Sequence, residues 1–268
     1  MQNVCHTHPA DGRALSLSPW RNATWWQSNT DPAVAALHYH TPSATRSTGG
    51  SSVMKLVAVS VGRPREVIWH GKSVRTSIWK SSVTGKVRVR ILNLEGDEQS
   101  DLSVHGGADK AVYVYPSEHY TYWREQLPGV ELPWGAFGEN FTSEGLFEPE
   151  LQIGDRLRVG TSEFVVTQPR MPCFKLGIRF DRPEMVKEFF RSRRSGFYLS
   201  VLREGSVSAG DAIQLIARED HGVTVADIVE LYAHGSENEA LLRRAVALTA
   251  LPESWRAHFR ERLWEPDA

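Results

Sequence analysis

The chain has 268 residues, 41% hydrophobic and 24% charged, which fits a soluble globular protein of one large domain, or one ordinary domain plus a small one, and excludes wholesale disorder. Lys and Arg number 31 against 32 Asp and Glu, so no global basic field exists for nucleic acid, and no run reaches the ~20 apolar residues of a membrane span. The 2 cysteines, Cys5 and Cys173, make neither a disulfide framework nor a zinc site, and a reducing cytoplasm is the expected compartment.

Residues 1–52 have no Lys and are rich in Ser, Thr, Pro and Asn, with scattered apolar residues. The segment lacks the apolar stretch of a secretory signal and reads as a disordered extension. Trp20, Trp25 and Trp26 show no periodicity, and His6, His8, His38 and His40 read as incidental rather than as metal ligands. Met54 opens a strand at once and is an alternative natural start.

Residues 53–217 carry mostly strand signals. Leu56, Ala58 and Val61 sit among β-branched neighbours, and residues 86–92 alternate as Val87, Val89, Ile91 against Lys86, Arg88, Arg90. Further strands are expected over residues 74–79, 111–115, 151–159, 163–167, 197–202 and 212–217, with Gly160, Thr161 and Ser162 as a hairpin turn. Many short strands without regular intervening helices predict a mainly β (α+β) fold, a closed or nearly closed barrel. Two helices interrupt it. One starts at Pro116 and runs over residues 117–127, stacking Tyr115, His119, Tyr122 and Trp123. The other opens at Arg182, Pro183 and Glu184 and buries Met185, Val186, Phe189 and Phe190.

Residues 221–266 read as three amphipathic helices. Thr224 caps the first; Ser236 or Asn238 caps the second, with Leu241, Leu242, Ala245, Val246 and Leu248 apolar; the third carries Trp255, Phe259, Leu263 and Trp264. A module this small has too little core to stand alone, so it is expected to pack on the barrel or on a second subunit, as in a homodimer.

Three patches can carry chemistry. Residues 93–110 are polar and Gly-rich between two strands. Gly106 and Gly107 allow backbone N–H groups to approach an anion, and His105 and Lys110 add donors beside Asp109; an ordinary solvated turn is the plainer reading. In the second patch Glu139 and Asn140 sit between Phe137 and Phe141, placed to pin a loop, cap an element or hydrogen-bond a heterocycle. In the third, Pro169 and Pro172 stiffen a loop bearing Gln168, Arg170, Cys173 and Lys175. Positive charge on both sides of Cys173 favours thiolate, the nucleophilic and metal-binding form, whereas a cysteine between Met171 and Phe174 also reads as a small buried hydrophobe.

His105, Gly106, Gly107, Asp109 and Lys110, then Tyr115, Pro116, Glu118, His119 and Tyr120, then Gly138, Glu139 and Asn140, then Ile153, Gly154 and Asp155, and last Gln168, Pro169, Arg170, Pro172 and Cys173 follow the order and spacing of MOSC domains. With three helices after the barrel, the chain resembles the YiiM subgroup, over roughly residues 54–263. The resemblance implies a β-barrel that binds molybdenum cofactor, a pterin dithiolene complex of molybdenum with a phosphate tail. Cys173 would be the metal ligand. His105, Gly106, Gly107, Asp109, Lys110, Glu139, Asn140, Gln168, Arg170 and Lys175 would hold the cofactor, and His119 or His105 would supply a proton. A soft thiolate suits a soft metal–sulfur centre. The implied activity is reduction of small N-hydroxylated bases. The alternative is a carrier that passes on the cofactor, or sulfur as a Cys173 persulfide. No pyridoxal-phosphate domain is attached, so autonomous cysteine desulfuration is not expected. No flavin, haem or iron–sulfur motif is visible, so a reductase needs a separate electron-donor protein.

Overall fold

A computed structural model describes residues 54–100, 106–234 and 238–264; the expected extension, residues 1–52, lies outside them, as do His105 and Ser236. An eight-stranded sheet forms the body. Its strands are β1 (Lys55–Val61), β4 (Ser81–Ser82), β6 (Val112–Pro116), β7 (Phe141–Glu144), β8 (Arg156–Val159), β9 (Ser162–Pro169), β10 (Phe197–Arg203) and β12 (Ile213–Ala217). They run in the order β12-β8-β9-β10-β6-β7-β1-β4. All neighbours are antiparallel except β6 and β7, which pair in parallel with Val114 opposite Phe141. Two small sheets flank it: β2 (Arg65–Trp69) with β3 (Lys72–Thr76), and β5 (Val87–Val89) with β11 (Gly205–Val207).

The sheet curls until β12 at one end touches β1, the strand next to the other end, but its ladder does not close, so of the closed or nearly closed barrel expected it is the nearly closed form. Contact is made at one isolated bridge, Lys55 opposite Ala212. Around it the Leu56 N–H donates to the Asp211 carbonyl at 2.9 Å and the Ile213 N–H to that of Met54 at 2.8 Å. Beyond this point β1 pairs with the two-residue β4, so the seam stays open. The expected turn between β8 and β9 is present, with Val159 opposite Ser162. Gly160 holds φ +55°, and a Cβ there would meet the Ser206 carbonyl oxygen at 2.3 Å, so the tight turn needs glycine.

β6 is buried along its whole length, which is why residues 111–115 read as an unbroken apolar run. Alternation sends Val112 and Val114 to one face and Tyr113 and Tyr115 to the other. Pro116 ends this strand instead of starting a helix. Tyr113 and Tyr115 join an aromatic core with Trp123 and Phe189, whose rings stack 5.8 Å apart at 7°. Trp123 comes from α1 (Glu118–Gln126) and Phe189 from α3 (Met185–Arg191). Each such side chain contributes roughly 1.5–3 kcal/mol by burial. The short α2 (Phe174–Phe180), absent from the strand and helix patterns read above, begins directly after Cys173.

The tail forms α4 (Val225–His234), α5 (Glu239–Ala247) and α6 (Glu253–Trp264). Thr224 Oγ1 accepts from the Asp227 N–H at 3.1 Å, and Asn238 Oδ1 caps α5 through the Leu241 N–H at 3.0 Å. The module packs on the sheet of the same chain. The Val225 N–H donates to the Leu151 carbonyl at 2.9 Å, and Trp255 reaches Gln168 on β9. Trp255 and Phe259 are buried and Leu263 half-buried, but Trp264 is 82% exposed and does not join the stripe.

Candidate functional site

A cavity of about 110 Å³, open to solvent on one side, collects part of the third patch, residues 97–100 and Lys110 of the first, and part of the second. Four cations line it, Lys80, Lys110, Arg170 and Lys175, against two carboxylates, Asp97 and Glu98, together with Cys173 and Asn140. Cys173 is half-buried and stands at the junction between the loop after β9 and α2. The strand ends at Pro169, and Arg170 holds the following turn by donating its N–H to the Gly196 carbonyl at 3.3 Å.

Arg170 is 6% exposed. Its guanidinium lies over the rings of Tyr113, at 5.2 Å, and Phe189, at 4.9 Å, and its Nη1 is buried without a hydrogen-bond partner. Burial works against its charge, but Tyr113, Tyr198 and Cys173 outweigh that and raise its pKa above the ordinary arginine value. A buried cation with an unanswered donor is a site prepared for negative charge. Lys175 Nζ is 3.5 Å from Ser100 Oγ.

Lys80, which sequence reading missed, forms a buried ion pair with Asp97. Asp97 also accepts from the Gly62 N–H at 2.8 Å and from Asn140 Nδ2 at 2.9 Å. Burial lowers the Lys80 pKa, and Asp97 opposes the shift. The available signal was one Lys between the apolar Ile78 and Trp79 and the Ser81–Ser82 pair of β4. Asn140 binds on both sides, taking the Tyr113 N–H at 3.1 Å on Oδ1 and donating to the Ser60 carbonyl at 3.2 Å.

Several residues expected at the site stand elsewhere. Glu139 is fully buried but does not line the cavity. It accepts from the N–H groups of Gly135 at 2.7 Å and Phe137 at 3.1 Å, from Thr142 Oγ1 at 3.1 Å and from the Tyr120 hydroxyl, so it pins the loop that presents Asn140. Burial raises its pKa, and these hydrogen bonds oppose the rise. Gly106, Gly107 and Asp109 do not line the cavity either; the two glycines lead into the 3-10 turn (Ala108–Lys110), which contains Asp109 and carries Lys110 to the wall. Gln168 lies behind that wall.

His119 also stands apart from the cavity. It faces Glu148, with Nε2 at 3.0 Å from both carboxylate oxygens. The same Glu148 accepts the Gly196 N–H at 2.7 Å, so the pair ties α1 to the turn behind Arg170. Burial opposes the Glu148 charge, but His119 and the backbone donor outweigh it and hold the pKa below 4.5. A folded-state pKa below the unfolded one contributes stability above the unfolded value, and that stability is lost as pH falls through the folded value. Thermal melts should show a falling midpoint below about pH 4.5, and the slope should be shallower in Glu148→Gln; equal slopes would remove the pair from the acid response.

The MOSC domain model matches residues 101–214, and that of the YiiM-like, 3-alpha helix domain matches residues 223–264. The uncharacterized protein YflK of Bacillus subtilis is 40% identical over 204 residues, covering 76% of this chain and 92% of YflK. The chain belongs to the MOSC family. The crystal structure of YiiM from Geobacillus stearothermophilus superposes with a TM-score of 0.66 at 35% identity, over 78% of this chain and 99% of that one. A protein named reductase from Gibberella moniliformis is 35% identical over 166 residues, 61% of this MOSC chain and 29% of the fungal protein. No described helix is long and apolar enough to cross a membrane.

Proposed function

We propose that this MOSC protein is a molybdenum-cofactor-dependent oxidoreductase that reduces small N-hydroxylated bases in the cytoplasm, with Cys173 as metal ligand. The observation that supports it is the donor set: one cysteine on the wall of a cavity with four cations against two carboxylates, one of the cations being the buried Arg170 with an unanswered Nη1. That set fits an anionic, sulfur-rich metal group, since a soft metal prefers thiolate and a phosphate-bearing pterin needs positive charge. The reductase name of the fungal relative agrees with the reaction class. When bound, the cofactor supplies two-electron redox chemistry, so that N–OH, two electrons and two protons give N–H and water.

This chain's own residues bind, balance charge and hold protons. Cys173 holds the metal; Arg170, Lys175 and Lys110 answer the negative charge of thiolate and pterin. Asn140, through its bonds to Tyr113, Ser60 and Asp97, holds the part of the wall that carries Lys80. With His119 outside the cavity, the proton donors left are His105, which lies outside the described residues, and Lys80 on the wall. Lys80 has a pKa lowered by burial, the direction that eases proton release. Electrons come from a separate donor protein. Protein made in a host that synthesises the cofactor should contain molybdenum by elemental analysis and oxidise a reduced donor in the presence of an N-hydroxylated base. Molybdenum-free protein from that host would overturn the reading.

A further inference from the structure

Gln168 joins the three-helix module to the cavity wall, and we propose that Trp255 and Gln168 are positioning residues for the turn that presents Lys110. The inference rests on the reading of the cavity as an anion-holding site. Trp255, on α6, donates its indole N–H to Gln168 Oε1 at 2.7 Å. From β9, Gln168 donates through Nε2 to the Asp109 carbonyl at 3.2 Å. Lys110, the next residue, lines the cavity. The order of the relay follows from donor chemistry. An indole nitrogen only donates, so it draws the oxygen of the Gln168 amide toward Trp255 and turns the NH₂ toward Asp109. Reversing the amide would set NH₂ against N–H and carbonyl against carbonyl, leaving both groups unsatisfied. Gln168 is 3% and Trp255 1% exposed, so water does not substitute for either partner.

The turn is held from two more directions. Thr167 Oγ1 donates to the same Asp109 carbonyl at 2.7 Å. Gln99 clamps the far side, donating to the Lys110 carbonyl at 3.1 Å and accepting from the Gly107 N–H at 3.0 Å. Thr167 and Gln99 belong to the barrel body; the Gln168 contact joins the helical module to the turn. The module therefore does more than cover apolar surface: its docking sets where a cavity cation stands.

The test uses the full chain with Cys5→Ser, so that Cys173 is the only thiol, and needs no cofactor. Alkylation of Cys173 is timed with iodoacetate, an anion, and iodoacetamide, its neutral analogue; their rate ratio reads the positive field in the cavity. Lys110→Met should lower the ratio on the order of two-fold, the effect of removing one unit charge that acts on the thiol through water. Trp255→Phe, which keeps a ring but removes the N–H, should lower it in the same direction, and should lower it no further when Lys110→Met is already present. Gln168→Met is the second variant should Trp255→Phe fold poorly, with the same expected pattern. A parental ratio in the folded variants, or an equal drop with and without Lys110, would overturn the proposal. Molybdenum content of the parent, measured separately, decides the cofactor reading without touching this result.

Discussion

Cys173→Ser should lower cofactor-dependent reduction of an N-hydroxylated base by more than the roughly 10- to 100-fold that losing an outer-shell partner costs a metal site, while the melting temperature stays close to the parent. Serine nearly matches the thiol in size but is a hard, weakly acidic donor, poorly matched to a metal that prefers sulfur. The backbone has independent support: Pro169 pairs with Phe197 across β9 and β10, the Arg170 N–H is bonded to Gly196, and Pro172 restricts the next turn. Steady-state rates on molybdenum-loaded protein, beside melts of the same preparations, make the comparison. Reduction at the parental rate would take Cys173 out of the site, and a large melting shift with intact activity would make it a core residue. Cys5→Ser, outside the described residues, should change neither quantity.

Trp255→Ala should cost about 3–5 kcal/mol of folding stability. The indole is 1% exposed and packs edge-on against Tyr232 at 5.5 Å and beside Phe259 at 5.7 Å. Its loss opens a cavity between α4 and α6 and also strands the Gln168 oxygen, adding about 1 kcal/mol or more. Denaturant unfolding followed by circular dichroism measures the change. A variant within about 0.5 kcal/mol of the parent, the size of an ordinary surface substitution, would mean that the module contributes little to the stability of the barrel.

Strands with strong side-chain alternation or continuous burial were legible before the structure, because their pattern is local. β1, β6, β9 and β10 fall within a few residues of expectation, and so do α1 and α3. β2, β4, β7 and β11 were missed: β2 is mostly exposed and has no buried face to mark it, β4 and β11 are two or three residues rich in Ser or Gly, and β7, Phe141–Glu144, looks like a loop until β6 and β1 take it up on either side. α2 was hidden because Cys173, Phe174 and Lys175 read as the rest of a Pro-stiffened loop. At the site, the cations nearest Cys173 in sequence were legible, and Arg170 and Lys175 do line the cavity. Lys80 was not, since its partner Asp97 lies across a loop and only folding pairs them. His119 stands away from the cavity, and Glu139 takes the loop-pinning role among those its sequence context left open. Polar residues among aromatics suggest a ligand, yet here each satisfies a buried structural need, His119 against Glu148 and Glu139 against three backbone or hydroxyl donors besides Thr142.

The way β1 is paired bears on how the chain folds as it is made. Its partners leave the ribosome in sequence: Ser81 and Ser82 first, then residues 141–144, and last Asp211 to Ile213, which meet Met54 to Leu56. Each arrival satisfies a stretch of β1 nearer its beginning, so the strand is zipped backwards against the direction of synthesis. Until β12 emerges, the first residues of β1 and the outer edge of β8 both present unpaired N–H and C=O groups, an invitation to pair with other chains. Closing so long a loop adds little entropic cost beyond that of a shorter one, so the hazard is one of waiting time. A ribosome stalled before residue 211 should leave a nascent chain that binds hydrophobic dyes and holdase chaperones, and release of the remaining strand should end both.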